Sequence, residues 1–391
     1  MNKSNLPNAR RSTQGFTLIE VLVAVALSVL SMTIIAQIFS VSEARKRTTS
    51  GAAEAQQVAN ITLYQVGRQI RLGGAGLTQG YRIWGCPLSS NRGGTANLPA
   101  PSFPAPFASS AISKTVRANP VLIYPGASEN TVSDVIVVIG GSGESGTAEY
   151  SLVGAVLSNG FPVLQTNGFR ALDYVLSYDP ADQLSSCPIA QVDNNYTYTR
   201  DGSTLTPTNL RVGGTGATVT GVPSVSASSR IVNLGQAPQM FMFGVSAANR
   251  LVQYDLLAAP ASAAVAIAGD VVDLRAVYQV GTDADSDGVI DSFAWKKPTD
   301  TGFTPADLNL RTQASVAAMD SIRAVRIALV VRSSEPTIEA DPPTFYTLFD
   351  AEPSLKTVVN IGAAEQRFRF QVYEATIPLR NLRYVPPATQ R

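Results

Sequence analysis

The sequence predicts an α+β protein: a long N-terminal helix whose first half crosses a membrane, packed on a large β-rich globular domain with long loops. Three observations predict it. Phe16 to Phe39 is an apolar run with a single charge, Glu20. Phe16 to Leu72 contains no proline, and its second half repeats apolar residues at spacings of three and four. Beyond Gly73 the chain breaks into short strand-like runs separated by Gly-, Pro-, Ser- and Thr-rich stretches, with 30 Gly and 24 Pro in 391 residues. The boundaries that follow are a polar leader over residues 1–15, a helix over 16–72 with its membrane span at 16–39, and a globular region over 73–391.

The leader carries Lys3, Arg10 and Arg11. At ~1.5 Å per residue the apolar run spans roughly 36 Å as a helix, enough for a hydrocarbon core of about 30 Å. A carboxylate inside such a segment costs on the order of 2.5–3.5 kcal/mol at the centre and less near the interface, so Glu20 needs a partner. In an ordinary signal peptide an apolar region of about 7–15 residues precedes a small-residue cleavage site. Here the small residue, Gly15, comes first and the apolar run is longer. Arg45, Lys46 and Arg47 follow the span, so cations flank it on both sides and charge alone does not orient it.

The helix continues past Phe39 on a face made of Ala52, Ala55, Ala59, Leu63, Val66 and Ile70. Gly73-Gly74 with Gly76 stops it, and Gly51 is its weak point. Tyr81 to Pro125 reads as loop, interrupted by Asn91-Arg92-Gly93-Gly94 and by Pro99, Pro101, Pro104 and Pro106. Strand-like runs follow at 134–139, 150–157, 172–178, 230–234, 239–245, 251–256, 271–280, 325–332 and 367–377. The last alternates Phe368, Phe370 and Val372 on one face. Ala314 to Ser321 reads as a short helix, and Gly202 to Ser229 as a surface excursion.

Composition excludes several function classes. Thirty basic against 29 acidic side chains give a formal charge of +1, and removing the leader's three cations leaves about −2, so no global basic bias recruits nucleic acid. With no histidine, neither a Ser-His-Asp triad nor an HExxH zinc site is available. Gly141-Ser142-Gly143-Glu144-Ser145-Gly146 fits a dinucleotide-binding pattern, but strand-like residues follow where a helix belongs, and Thr166 stands where an acidic residue belongs. It reads as a Gly/Ser hairpin. No phosphate-binding GxxxxGK[ST] occurs, and nothing pairs two carboxylates as acid and base. Arg367, Arg369, Arg380, Arg383 and Arg391 with Phe368, Phe370 and Tyr384 read as one solvated and one buried face rather than a nucleic-acid patch.

Gly15-Phe16-Thr17-Leu18-Ile19-Glu20 followed by an apolar helix resembles the class III signal of type IV prepilins and type II secretion pseudopilins. Three later stretches resemble the large minor pilins of the PilW type: Gln69-Ile70-Arg71-Leu72-Gly73-Gly74-Ala75-Gly76, Ile322 to Arg332, and Tyr373 to Asn381. The resemblance implies a non-enzymatic minor pilin that helps prime a type IV pilus within a tip-associated minor pilin complex. It implies cleavage by prepilin peptidase between Gly15 and Phe16 and methylation of the new amine. It further implies that Glu20 neutralises the N-terminal ammonium of a neighbouring subunit. The implied partners are other minor pilins and the major pilin, the inner-membrane assembly platform and a tip adhesin. The domain would lie in the periplasm before assembly and on the cell-surface pilus afterwards. A type II secretion minor pseudopilin is the first alternative. A membrane-anchored extracellular binding protein or adhesin is the second.

Outside the cytoplasm disulfides persist, and Cys86 and Cys187 permit one intramolecular connectivity, with two buried free thiols as the alternative. Finally, Asp283, Asp285, Asp287 and Asp291 occupy positions 1, 3, 5 and 9 of an EF-hand-like loop, with Gly288 at the sharp turn and the Val289 carbonyl as a further oxygen. That pattern suits calcium, although position 12 is Ala294 rather than Glu. An acidic turn between two strands is the plain alternative.

Overall fold

The computed structural model describes residues 15–77, 80–109, 112–126, 133–142, 149–182, 185–196, 208–214, 216–260, 262–285, 287–336 and 343–381. The basic leader with Lys3, Arg10 and Arg11, the Gly/Ser stretch at 143–148, and Arg383, Tyr384 and Arg391 lie outside the described residues. The chain divides into two compact units, Met1–Gly51 and Ala52–Arg391.

Helix α1, Leu18–Leu72, runs without interruption through Gly51. The cost of about 1 kcal/mol for a helical glycine is small against the many backbone bonds of a 55-residue helix. Within the second unit, Ala55, Ala59, Val66 and Ile70 are buried while Ala52 and Leu63 are half-buried. Side chains at spacings of three and four fall on one face, which lets a small-residue ridge lie close against strands.

In chain order the further elements begin with α2 (Gly80–Ile83), β1 (Leu88–Arg92), β2 (Thr95–Leu98), β3 (Val121–Tyr124) and β4 (Val135–Gly140). There follow β5 (Glu149–Ser151), β6 (Gly160–Val163), β7 (Tyr174–Tyr178), β8 (Cys187–Gln191), β9 (Thr208–Arg211) and β10 (Arg230–Gly235). Next come β11 (Gln239–Ser246), β12 (Arg250–Asp255), β13 (Val265–Gly269), β14 (Val271–Thr282) and β15 (Ser292–Lys296). The chain then forms α3 (Pro305–Leu308), α4 (Gln313–Ser321), β16 (Ile322–Arg332), β17 (Phe345–Leu348), β18 (Thr357–Asn360) and β19 (Phe370–Pro378).

Three sheets carry most of these strands, in the orders β2-β1-β8-β7-β10-β5, β13-β12-β11-β4-β3 and β15-β14-β16-β19. The pairs β17-β18 and β6-β9 are separate ribbons. The largest core cluster joins the buried face of α1 to β3, β4, β11, β14 and β16. Residues on the two faces of these strands pack in opposite directions, as a period of two requires.

The structure corrects two loop readings. Tyr81 to Pro125 contains β1, β2, β3 and most of α2, and β1 pairs in parallel with β8. Gly202 to Ser229 contains β9, paired with β6, and buries Val212 and Val219. In both regions the strands are four or five residues long, and β1 and β9 pair with β8 and β6, partners distant in sequence. The strand expected at 150–157 is shorter, ending at Ser151. Helix α4 begins one residue before its expected start, where Thr312 caps it by accepting from Ser315 N.

Candidate functional site

The N-terminal site is built on the first turn of α1. Thr17 precedes the helix, and Glu20 sits three residues on. Thr17 N donates to Glu20 Oε2 at 3.0 Å, Thr17 Oγ1 donates to the same oxygen at 2.9 Å, and Glu20 N donates to Thr17 Oγ1 at 3.4 Å. This is a capping box, which satisfies two backbone donors that helix geometry leaves without partners. The T-x-x-E spacing signals it in the sequence, and the reading of Glu20 as an assembly carboxylate overlooked it. Phe16 is 87% exposed and a Cβ on Gly15 would meet nothing within 4 Å, so the backbone between them is open. Among the described residues α1 is the one helix long and apolar enough to cross a membrane.

At its other end, α1 is sealed onto strand β4. Gly74 takes a positive φ of 80° and reverses the chain. Gly74 N donates to Ile139 O at 2.9 Å, and Gly141 N donates to Ala75 O at 2.6 Å. Asn381 Nδ2 donates to Arg71 O at 3.2 Å and Gly73 O at 3.3 Å, so the last described residue caps carbonyls at the helix end. The approach is close: a Cβ on Gly140 would lie 2.5 Å from Leu72 O.

Cys86 and Cys187 form a disulfide, and both are buried beside the parallel β1-β8 pair. It closes a separation of 101 residues, worth roughly 4–5 kcal/mol by chain entropy.

A buried ionic cluster ties the residue before β4, Asp134, to β14. Arg275 Nη1 lies 3.3 Å from Asp134 Oδ1, and its Nε lies 3.1 Å from the Asp273 carboxylate. Asp134 also accepts from Gly126 N and Ala276 N, each at 3.0 Å. Asp273 accepts from Ser133 Oγ at 2.7 Å and Tyr346 Oη at 3.1 Å. Burial pushes the Asp134 carboxyl up to about 6, against the pull of Arg275 and two backbone donors. It also raises the Tyr346 phenol, which Asp273 raises further.

In the acidic loop, Asp283, Asp285 and Asp287 each bring one carboxylate oxygen within 4.8 Å of the others. Asp283 Oδ2 accepts from Gly288 N, Asp285 Oδ1 from Asp287 N, and Asp287 Oδ1 from Val289 N. Asp283 Oδ1 is buried with no hydrogen-bond partner among the described residues. Asp291 stands apart from this trio: its Oδ2 accepts from Ala284 N at 2.6 Å, closing the loop. The Val289 side chain is exposed. Three of the five expected ligand residues are thus brought together.

Two family models match. Residues 10–36 match the prokaryotic N-terminal methylation motif. Residues 240–381 match Type IV Pilus-assembly protein W, a stretch that begins in β11 and ends at Asn381. No curated protein and no solved structure matches the chain. The two matches support a type IV pilin of the PilW type. The methylation motif and the apolar helix fit a membrane-anchored pilin.

Proposed function

We propose that this PilW-type type IV pilin is a minor pilin that joins other minor pilins in a small complex, primes pilus assembly and sits at the pilus tip. One observation carries the reading: a prepilin methylation motif and a PilW match occur on the same chain. Prepilin peptidase cuts between Gly15 and Phe16 and methylates the new amine. Glu20 then neutralises the amine of a neighbouring subunit, and apolar packing of the exposed residues Phe16 to Val41 supplies most of the cohesion. The same surface faces lipid before assembly, with the domain in the periplasm, and faces the helices of minor and major pilins afterwards. The inner-membrane platform and a tip adhesin are further partners. The capping box fixes the Glu20 carboxylate on the exposed first turn of α1, where a neighbouring helix can approach it. Intact mass of the membrane-extracted protein tests the reading. A mature N-terminus at methylated Phe16 is expected, and any other N-terminus refutes it.

The acidic loop, in the same reading, takes calcium through Asp283, Asp285 and Asp287, with the Val289 carbonyl as a further oxygen, while Asp291 closes the loop through Ala284 N. Hard oxygens at alternating positions suit that ion, and the unpartnered Asp283 Oδ1 supports it.

A further inference from the structure

We infer that Arg45, Lys46 and Arg47 form a collar that binds the anionic headgroups of phospholipids in the outer leaflet of the inner membrane, holding the unassembled subunit at a fixed depth. The inference rests on the proposed orientation, with the domain in the periplasm.

The three cations lie on α1, and their side chains are exposed. Arg45 comes six residues after Phe39, the end of the apolar run, or about 9 Å along the helix. Headgroup layers extend a bilayer from about 30 Å to roughly 40–45 Å, and long basic side chains reach back toward them. The three residues start about 9–12 Å past the run, just beyond a headgroup layer of roughly 5–8 Å, and their long side chains reach back to the lipid phosphates. Glu43 pairs with Arg47 at 3.2 Å, which leaves Ser40 to Ser50 with a net charge of +2.

The arrangement around the helix selects lipid over a protein partner. Successive helical residues turn by about 100°, so three in a row cover roughly 200° of the circumference. A protein surface meets one face of a helix, whereas headgroups ring it. Juxtamembrane basic segments gain affinity from each Lys or Arg near an anionic surface. Processing adds an asymmetry. Cleavage at Gly15 removes Lys3, Arg10 and Arg11 from the cytoplasmic end and leaves the collar in place. The mature helix is then held chiefly from its outer end.

The test uses the full chain purified in detergent with equal phosphatidylglycerol and phosphatidylcholine, and counts the lipids retained by native mass spectrometry. Wild type is compared with Arg45→Gln/Lys46→Gln/Arg47→Gln and with the charge-preserving Arg45→Lys/Arg47→Lys. The leader contributes equally to all three. Wild type and the Lys variant should retain phosphatidylglycerol in about threefold excess over the Gln variant, and high salt should abolish the difference. Equal retention by all three overturns the inference. So does equal retention with loss of the Gln variant from sheared pili, which assigns the cations to a protein partner. Protease access to the domain from the periplasmic side is scored separately. A cytoplasmic domain with the lipid excess intact refutes the orientation and the outer-leaflet assignment, and leaves the headgroup contact standing.

Discussion

Replacing Arg275 with methionine isolates what the buried cluster contributes. The substitution keeps volume and apolar packing but strands Asp134 and Asp273, which are both about 95% buried. Removing one partner of a buried pair costs about 3–5 kcal/mol, because the remaining charge keeps its desolvation penalty. The remaining donors, Gly126 N, Ala276 N, Leu274 N, Ser133 Oγ and Tyr346 Oη, place the expected loss at the lower end, about 3 kcal/mol at pH 7. The sign of the pH dependence follows from Asp134, raised from 3.8 to about 6 in the folded state. Between those values the folded form binds more protons than the unfolded one. This group's contribution therefore declines as pH rises from about 4 to about 6, by roughly 3 kcal/mol for two pKa units. Loss of the Arg275 charge raises Asp134 further, so the penalty of Arg275→Met should shrink between pH 7 and pH 5. Urea unfolding of the detergent-solubilised chain, followed by the fluorescence of Trp84 and Trp295, measures it. A cost below about 1 kcal/mol at pH 7, or one unchanged at pH 5, refutes the argument that an uncompensated carboxylate dominates.

Three further outcomes are expected. Glu20→Ala should lower incorporation into sheared pili while synthesis, insertion and cleavage persist; wild-type levels in pili would remove its pairing role. Millimolar calcium should raise Tm relative to chelator, because a ligand of the folded state stabilises by mass action, and Asp285→Ala with Asp287→Ala should abolish the gain. An unchanged Tm leaves the loop an ordinary turn. Gly140→Ala places a methyl 2.5 Å from Leu72 O and should cost about 1–3 kcal/mol, whereas Gly154→Ala meets nothing within 4 Å and should be neutral in the same unfolding assay. Equal effects at the two glycines would contradict the close approach at the helix end.

Much of the fold was legible where pattern and length agree. The proline-free run from Phe16, the Ala-rich face and the Gly73-Gly74 stop gave the helix to its last residue, Leu72. The longest strands, β14 and β16, carry enough β-branched residues to stand out alone. The pair Cys86 and Cys187, with one connectivity, proved bonded. Residues Leu88–Arg92 and Thr95–Leu98 read LSSNR and TANL, with no apolar alternation, so their pairing is set by neighbours such as β8 rather than by their own sequence. Val121–Tyr124 is apolar but only four residues long, between Pro120 and Pro125. At the candidate site, Glu20 was legible as an anomalous charge, but its hydrogen bonds to Thr17 compete with that signal. In the acidic loop the alternating spacing brings Asp283, Asp285 and Asp287 together, while Asp291 accepts from a backbone amide that sequence does not locate.

A helix that anchors a domain is also the handle by which the domain is pulled. Tension along α1 leaves the helix at Leu72 and enters the domain through Gly74 N on Ile139 and Ala75 O on Gly141, at the end of β4. That strand lies between β11 and β3 and is bonded on both sides, so load arriving there is shared across a sheet rather than peeling an edge. Asn381 grips the same helix end from the far end of the described chain. The domain is therefore held at the point of pull by segments about 240 residues apart in sequence, so load on the helix enters it at two places at once.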